Sequence, residues 1–291
     1  MNVTLLRITS RPVAIAAVLV GMVSLAIGAH AALNMRSLDA DKAATAASSV
    51  DFAKKGSRIA LVIGNGHYPD ANLPLTQPIN DARELSAELR RDGFDVDVIE
   101  DASKDDMTRA VARLRTKIRP DSVVMLFFGG YGIQVGRESY MIPVDATIWK
   151  EGDVRRNAVS IESVLDVMKE QGARAKLVVI DASRRNPYER RFRAYSHGLA
   201  PITAPDNALI LTSATPGKVA DDGKGQYSVL VTELLNNLGS RETDKPAVAA
   251  EAIFNKTRIA ISKATDGEQV PTVSSSLLED VSFAATDKAG S

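Results

Sequence analysis

The chain has 291 residues, with 36 basic and 36 acidic side chains and no cysteine. That balance lacks the basic excess of a nucleic-acid-binding protein, and the missing thiols exclude disulfides, thiolate metal sites and thiol catalysis together. A chain of this length buries roughly three quarters of its unfolded surface, so a 45% hydrophobic content supports a core without disulfide or metal staples.

Arg7 and Arg11 precede an apolar run from Pro12 to about Ile27, followed by Ala29-His30-Ala31. A basic start, an apolar stretch and an A-x-A site form a secretory signal peptide over residues 1–31. Read through Leu33, the same run has the length of about 20 residues that spans a bilayer, so an uncleaved inner-membrane anchor is the alternative. Either reading places the folded body outside the cytoplasm, periplasmic or secreted. Residues 32–57 are rich in Ala, Ser, Asp and Lys without an apolar period and are expected to be a flexible linker.

From residue 58 to 284 short apolar strands alternate with amphipathic helices. Ile59–Ile63 is the first strand. Pro78–Arg91 follows as a helix, with Ile79, Ala82, Leu85, Ala87 and Leu89 inward and its Asp, Glu and Arg residues outward. Phe94–Ile99 alternates Phe94, Val96 and Val98 with Asp95 and Asp97, as a half-exposed edge strand does. Ser103 caps a helix that Pro120 ends. Val123–Phe128 is continuously apolar, the mark of a central strand covered on both faces. Ser160 caps the next helix; Leu177–Ile180 and Ala208–Leu211 are two more buried strands. Helices are expected at about Ser228–Leu238 and Ala247–Lys263, with a short tail at 285–291.

This alternation predicts an α/β protein, a single domain with a mostly parallel sheet between helical layers. Such sheets place their sites outside the carboxyl ends of the strands. The loops there are Gly129–Gly132, which presents Tyr131, and Asp181–Ser183, which presents Ser183.

Ordered motifs run along the same region. They include Ala60-Leu-Val-Ile-Gly-Asn-Gly-His-Tyr-Pro69, Leu73-Pro-Leu-Thr-Gln-Pro-Ile-Asn-Asp-Ala82 and Phe127-Phe-Gly-Gly-Tyr-Gly-Ile-Gln134. Tyr140-Met-Ile-Pro-Val-Asp145, Asp181-Ala-Ser-Arg-Arg-Asn-Pro187, Gly198-Leu-Ala-Pro201 and Ala214-Thr-Pro-Gly-Lys-Val-Ala220 follow. In this order they resemble the bacterial caspase and metacaspase family of cysteine endopeptidases, from about Arg58 to Phe283. The resemblance implies the caspase-like α/β/α sandwich. It also implies that Tyr131 stands where the family carries its histidine base and Ser183 where it carries its cysteine. By the same resemblance Asp181 helps form an acidic pocket for a basic side chain, with Asp222 as a candidate second wall. Asp181 as a local backbone cap is the structural alternative.

The two replacements weigh against peptide-bond cleavage. A serine hydroxyl needs a positioned base, and a phenol with a pKa near 10 is ionised in roughly one part in a thousand at pH 7. Losing the imidazole also removes the acid that protonates a departing amine. His67 follows the first strand and is the candidate substitute base; His197 lies in a long polar loop. Arg184 and Arg185 either lower the Tyr131 pKa by proximity or pair with Asp181 and the surface. The amides of Gly130 and Gly132 are candidate oxyanion donors beside Ser183, or the glycines simply allow a tight turn. Gly64–Gly66 lacks the spacing of a phosphate loop. Arg184–Arg193 is a basic, aromatic-bearing loop, either solvated or a partner surface. No histidine or thiol cluster at metal spacing occurs, so no metal and no cofactor are expected.

The leading expectation is therefore a non-proteolytic pseudopeptidase that binds a peptide or protein carrying basic residues. A weak serine-type hydrolase specific for basic residues and a structural envelope module are the alternatives.

Overall fold

The computed structural model describes residues 57–69, 74–192, 198–220, 225–239 and 248–284. The expected leader, nearly all of the linker, the 285–291 tail, His197 and Asp222 lie outside the described residues. Among the described residues no helix is long and apolar enough to cross a membrane.

In chain order the elements are β1 (Arg58–Gly64), α1 (Gln77–Arg91), β2 (Asp95–Glu100), α2 (Lys104–Lys117) and β3 (Val123–Gly129). A hairpin of β4 (Gly132–Val135) and β5 (Glu138–Met141) leads into α3 (Glu151–Asn157), β6 (Val159–Ser160) and α4 (Ile161–Glu170). The chain continues through β7 (Ala175–Asp181), β8 (Ala208–Thr212), α5 (Val229–Gly239), α6 (Ala250–Ala264) and β9 (Thr272–Ser275). The main sheet has the order β2-β1-β3-β7-β8-β9. Its first five strands are parallel and β9 runs antiparallel to β8.

Period-two alternation divides each central strand between two cores. Ala60 and Val62 of β1 face Leu85 and Leu89 of α1, Leu234 of α5 and Phe254 of α6. Ile59, Leu61 and Ile63 face the other way, onto Met107 and Leu114 of α2 and Val164 and Met168 of α4. Each such aliphatic side chain removed from water contributes about 1.5–3 kcal/mol. The β3 and β7 runs are buried along their whole length, as their continuous apolar sequence demands.

The edge strand β2 is where alternation predicted it. Its acidic residues are taken up by neighbouring helices: Lys117 bonds Asp95 at 2.8 Å, Arg113 bonds Asp97 at 2.9 Å, and Arg83 bonds Glu100 at 2.7 Å. Charged, paired side chains of this kind protect a sheet edge. Ser103 caps α2 in a full capping box with Asp106.

Three expectations shift. α1 does not turn all its acids outward, because Asp81 is fully buried; Ser86, not Ala87, joins its inward face. The reason lies outside the helix: the backbone N–H of Ser228, just ahead of α5, donates to Asp81 Oδ1 at 2.9 Å and holds that carboxylate inside. α3 and β6 were not legible, being seven and two residues long. Phe94 is buried but precedes β2, its N–H donating to Leu89 O at 3.0 Å to close the end of α1.

Candidate functional site

Gly129 and Asp181 are register partners, the last residues of the adjacent parallel strands β3 and β7. Tyr131 and Ser183 each lie two residues beyond that pair. The pairing continues past the sheet: Gly130 N–H donates to Asp181 O at 3.2 Å and Gly132 N–H to Ala182 O at 3.1 Å. The structure thus brings Tyr131 and Ser183 to neighbouring strand ends, as expected from the apolar runs before them.

The same bonds answer the question of the glycines. Both amides are committed to the β7 chain and are not oxyanion donors in this arrangement. Glycine is required by close approach instead. A Cβ on Gly132 would sit 2.6 Å from Leu199 Cδ2 and 2.8 Å from Ala182 O, and one on Gly130 would sit 2.5 Å from Tyr68 Oη. Gly64 and Gly66 likewise lie against the carbonyls of Pro78 and Leu75, with no room for a Cβ.

Tyr131 is 4% exposed, in an apolar cluster with Tyr68, Ile133, Ile142, Ile148 and Tyr188. Its ring meets the Tyr68 ring edge-on, with centroids 4.9 Å apart. The Tyr131 N–H donates to Tyr68 Oη at 3.0 Å, and Tyr68 Oη donates to Ile142 O at 3.0 Å. Burial drives the Tyr68 phenol well above its ordinary pKa, outweighing its hydrogen bonds and the field of Arg184. Ser183 is 1% exposed. Its N–H donates to Ser213 Oγ at 3.3 Å and its carbonyl accepts from Ala220 N–H at 2.6 Å, which fixes its backbone from both sides. The hydroxyl itself has no hydrogen-bond partner among the described residues. Among the described residues neither the Tyr131 phenol nor an imidazole hydrogen-bonds it to take its proton.

His67 sits at the end of β1, two strands from β7, with Nδ1 2.5 Å from Asp101 Oδ2 and its side chain 74% exposed. Asp101 has φ 46° at the end of β2, a left-handed turn that aims its other oxygen at the Gly66 and His67 amides, 2.9 Å each. Burial pushes the Asp101 pKa up, but the amides and the ring outweigh it and leave a net lowering. The result is a carboxylate-oriented imidazole on the same sheet edge as Ser183, not in contact with it.

Asp181 and Arg184 are both buried, and Arg184 Nη2 lies 3.6 Å from Asp181 Oδ2. Arg184 Nη1 also donates to Gly130 O at 3.0 Å and, more closely, to Asp181 O. Of the two roles open to Arg184, pairing with Asp181 is the one found; Arg185 is exposed. Asp222 lies outside the described residues. A different acid faces Asp181, namely Asp81 of α1, whose pKa is pushed up to about 7. Burial is the main cause and Asp181 the second, with the Ser228 N–H and Arg184 offsetting part of the rise. Sequence reasoning missed Asp81 by assigning it to a solvent face, although it stands in the quoted Asn80-Asp81-Ala82 motif.

In the basic loop, Arg191 stacks 4.8 Å from the Trp149 ring and 5.4 Å from the Tyr188 ring, and its Nη1 donates to Ile148 O at 2.7 Å. This pins residues 188–191 to the segment before α3. Among the described residues no three metal-type side chains converge.

A mostly parallel sheet between two helical layers, with Tyr131 and Ser183 beyond the carboxyl ends of two central strands, is the frame of a caspase-type α/β domain. The chain belongs to that family: residues 57–282 match the caspase domain. It is also similar to the mucosa-associated lymphoid tissue lymphoma translocation protein 1 of Homo sapiens, 28% identical over 133 residues. The Mus musculus homologue matches at 28% over the same length. These matches cover 45% of this chain and 16% of either relative.

Proposed function

We propose that this protein is a non-proteolytic member of the caspase family that holds a peptide or protein segment bearing a basic residue. The observation that carries the loss of cleavage is the Ser183 hydroxyl, buried and without a hydrogen-bond partner or base among the described residues. A serine so placed has no route to the alkoxide that amide attack requires. Its apolar, tyrosine-rich neighbour at 131 supplies no imidazole to protonate an amine leaving group.

The basic ligand follows from charge. Asp81 and Asp181 are two carboxyl groups facing one guanidinium, that of Arg184, in a buried setting. Among the described residues one negative charge is left over when both carboxyls are ionised. A guanidinium or ammonium group from a ligand would balance it. The N-terminal run supports export or membrane anchoring of this binding body, as scaffold, decoy or regulator.

The test is incubation of the protein with a peptide library containing arginine and lysine termini, read by mass spectrometry for both retention and cleavage. Retention of intact basic peptides, weakened by Asp181→Ala, is the expected result. Brisk hydrolysis, or no retention of any basic peptide, would overturn the proposal. One observation favours a second reading, a weak serine hydrolase: the imidazole of His67 is oriented by Asp101 on the same sheet edge. That reading requires a serine-directed phosphonate to label Ser183 and His67→Gln to abolish the labelling.

A further inference from the structure

The Asp81–Asp181–Arg184 cluster joins three elements that the sequence separates: the second turn of α1, the end of β7 and the loop beyond it. Asp81 has two oxygens with unequal fates. Oδ1 accepts the Ser228 N–H, while Oδ2 is buried with no hydrogen-bond partner among the described residues. Asp181 Oδ2 also lacks a hydrogen bond and has only the 3.6 Å approach of Arg184. Two residues on, the Ser183 hydroxyl is buried and unpartnered as well. An uncompensated buried carboxylate is costly, and two sharing one guanidinium are not both readily ionised unless a second cation joins them. A proton on Asp81 satisfies that demand when the site is empty.

We propose that Asp81 makes this site a proton-gated cation receptor, in which a ligand's guanidinium or ammonium group enters as Asp81 gives up its proton. The inference rests on the function proposed above and adds its regulation. The step balances in charge: a cation arrives, one proton leaves Asp81 Oδ2 for solvent, and the cluster's net charge stays as it was. Among the described residues the charged groups acting on Asp81 are Asp181 at the end of β7 and Arg184 in the loop beyond, with the Ser228 N–H donating from ahead of α5. Asp181 favours the proton, and the other two favour its loss. His67 and Asp101 belong to a separate pair on the ends of β1 and β2.

The dependence on pH is set by competition for one oxygen. Below the titration of Asp81, near pH 7, binding of a permanently charged guanidinium should weaken about tenfold for each unit of acidification. Well above it, binding should be flat. A site made only of ordinary carboxylates would weaken in the same direction but hold its affinity down to about pH 5.

The experiment is calorimetry of the full-length protein with an amidated acetyl-leucyl-arginine peptide, from pH 5.5 to 8.5, in two buffers of different ionisation enthalpy. Release approaching one proton per peptide at pH 6, falling to near zero at pH 8.5, is expected. Asp81→Asn should bind with the weak low-pH affinity at every pH and release no proton. That variant keeps an oxygen for the Ser228 N–H, so it is expected to fold, which circular dichroism checks. Binding without proton release, or an unchanged pH profile in Asp81→Asn, would overturn the gating while leaving the basic-ligand reading standing. No binding at pH 8.5, where the site is deprotonated, would overturn both.

Discussion

Two carboxylates on the carboxyl side of this sheet meet opposite treatment. Asp101, at the rim, has both oxygens engaged, one by two backbone amides and the other by His67, and its pKa is lowered. Asp81, inside, has one oxygen engaged and one bare, and its pKa is raised to about 7. The rim pair is complete and needs nothing further. The inner cluster is not: Asp81 Oδ2, Asp181 Oδ2 and the Ser183 hydroxyl are buried with no hydrogen-bond partner among the described residues. Incomplete polar satisfaction in a buried setting marks a place kept for something other than stability.

The largest effect is expected from removing the inner partner of Arg184. Asp181→Ala would leave the buried guanidinium of Arg184 against carbonyls, without the carboxylate 3.6 Å from it. A loss of about 3–5 kcal/mol is expected, as when one member of a buried ion pair is deleted. Urea unfolding monitored by circular dichroism measures it. A loss below about 1 kcal/mol would mean that the cluster is open to water and the contrast with Asp101 is empty.

Next in size is the pH dependence of Asp81. The folded protein holds this proton more tightly than the unfolded chain, whose ordinary value is 3.8. The native state is therefore most favoured where the carboxyl is protonated. Stability contributed by this group is complete below about pH 4 and is lost as pH rises toward 7. Asp81→Asn should flatten that slope and raise stability at pH 8 by a few kcal/mol, of order the free energy of the shift. The measurement is the urea midpoint of both proteins between pH 5 and 8. Parallel curves would show that Asp81 is not the group that titrates.

Much of this was legible in the residues, for definite reasons. The apolar runs Val123–Phe128 and Leu177–Ile180 can only be covered strands, so the loops that end them had to lie together, and Tyr131 and Ser183 with them. The alternating Asp95–Ile99 stretch had to be an edge. Asp81 was hidden because helical periodicity assigns faces only against the helix's own neighbours. What buries it is an N–H from Ser228, 147 positions away in sequence. The Gly130 and Gly132 amides misled for a similar reason: a free amide and one bonded to the next strand look identical in a sequence. Asp101 gave no local signal, since its left-handed turn is not written in an aspartate.

Ser183→Ala is a smaller and sharper test. A hydroxyl with no partner in a buried site contributes no hydrogen bond to the native state, yet it gave up its water on folding. Removing it should leave stability unchanged or raise it by about 1 kcal/mol, and peptide retention should persist. A clear destabilisation would reveal a partner for Oγ and revive the serine-hydrolase reading. Relief at Ser183 together with a loss at Asp181 would show that the two residues, two positions apart, answer to different demands.

The smallest effect belongs to the rim. Asp101→Asn keeps an acceptor for the Gly66 and His67 amides and removes only the charge facing an imidazole that is 74% exposed. Solvent screens such a pair, so the loss should stay below about 1 kcal/mol. Binding of an arginine peptide at pH 8 should be unaffected, because no contact links Asp101 to the Asp81–Asp181 cluster among the described residues. If this variant instead abolished binding while remaining folded, the ligand would have to lie across β1 and β2, and the inner carboxyls would be bystanders. The ordering of these four changes follows from the water each group has lost, not from its charge, since Asp101 and Asp181 carry the same one.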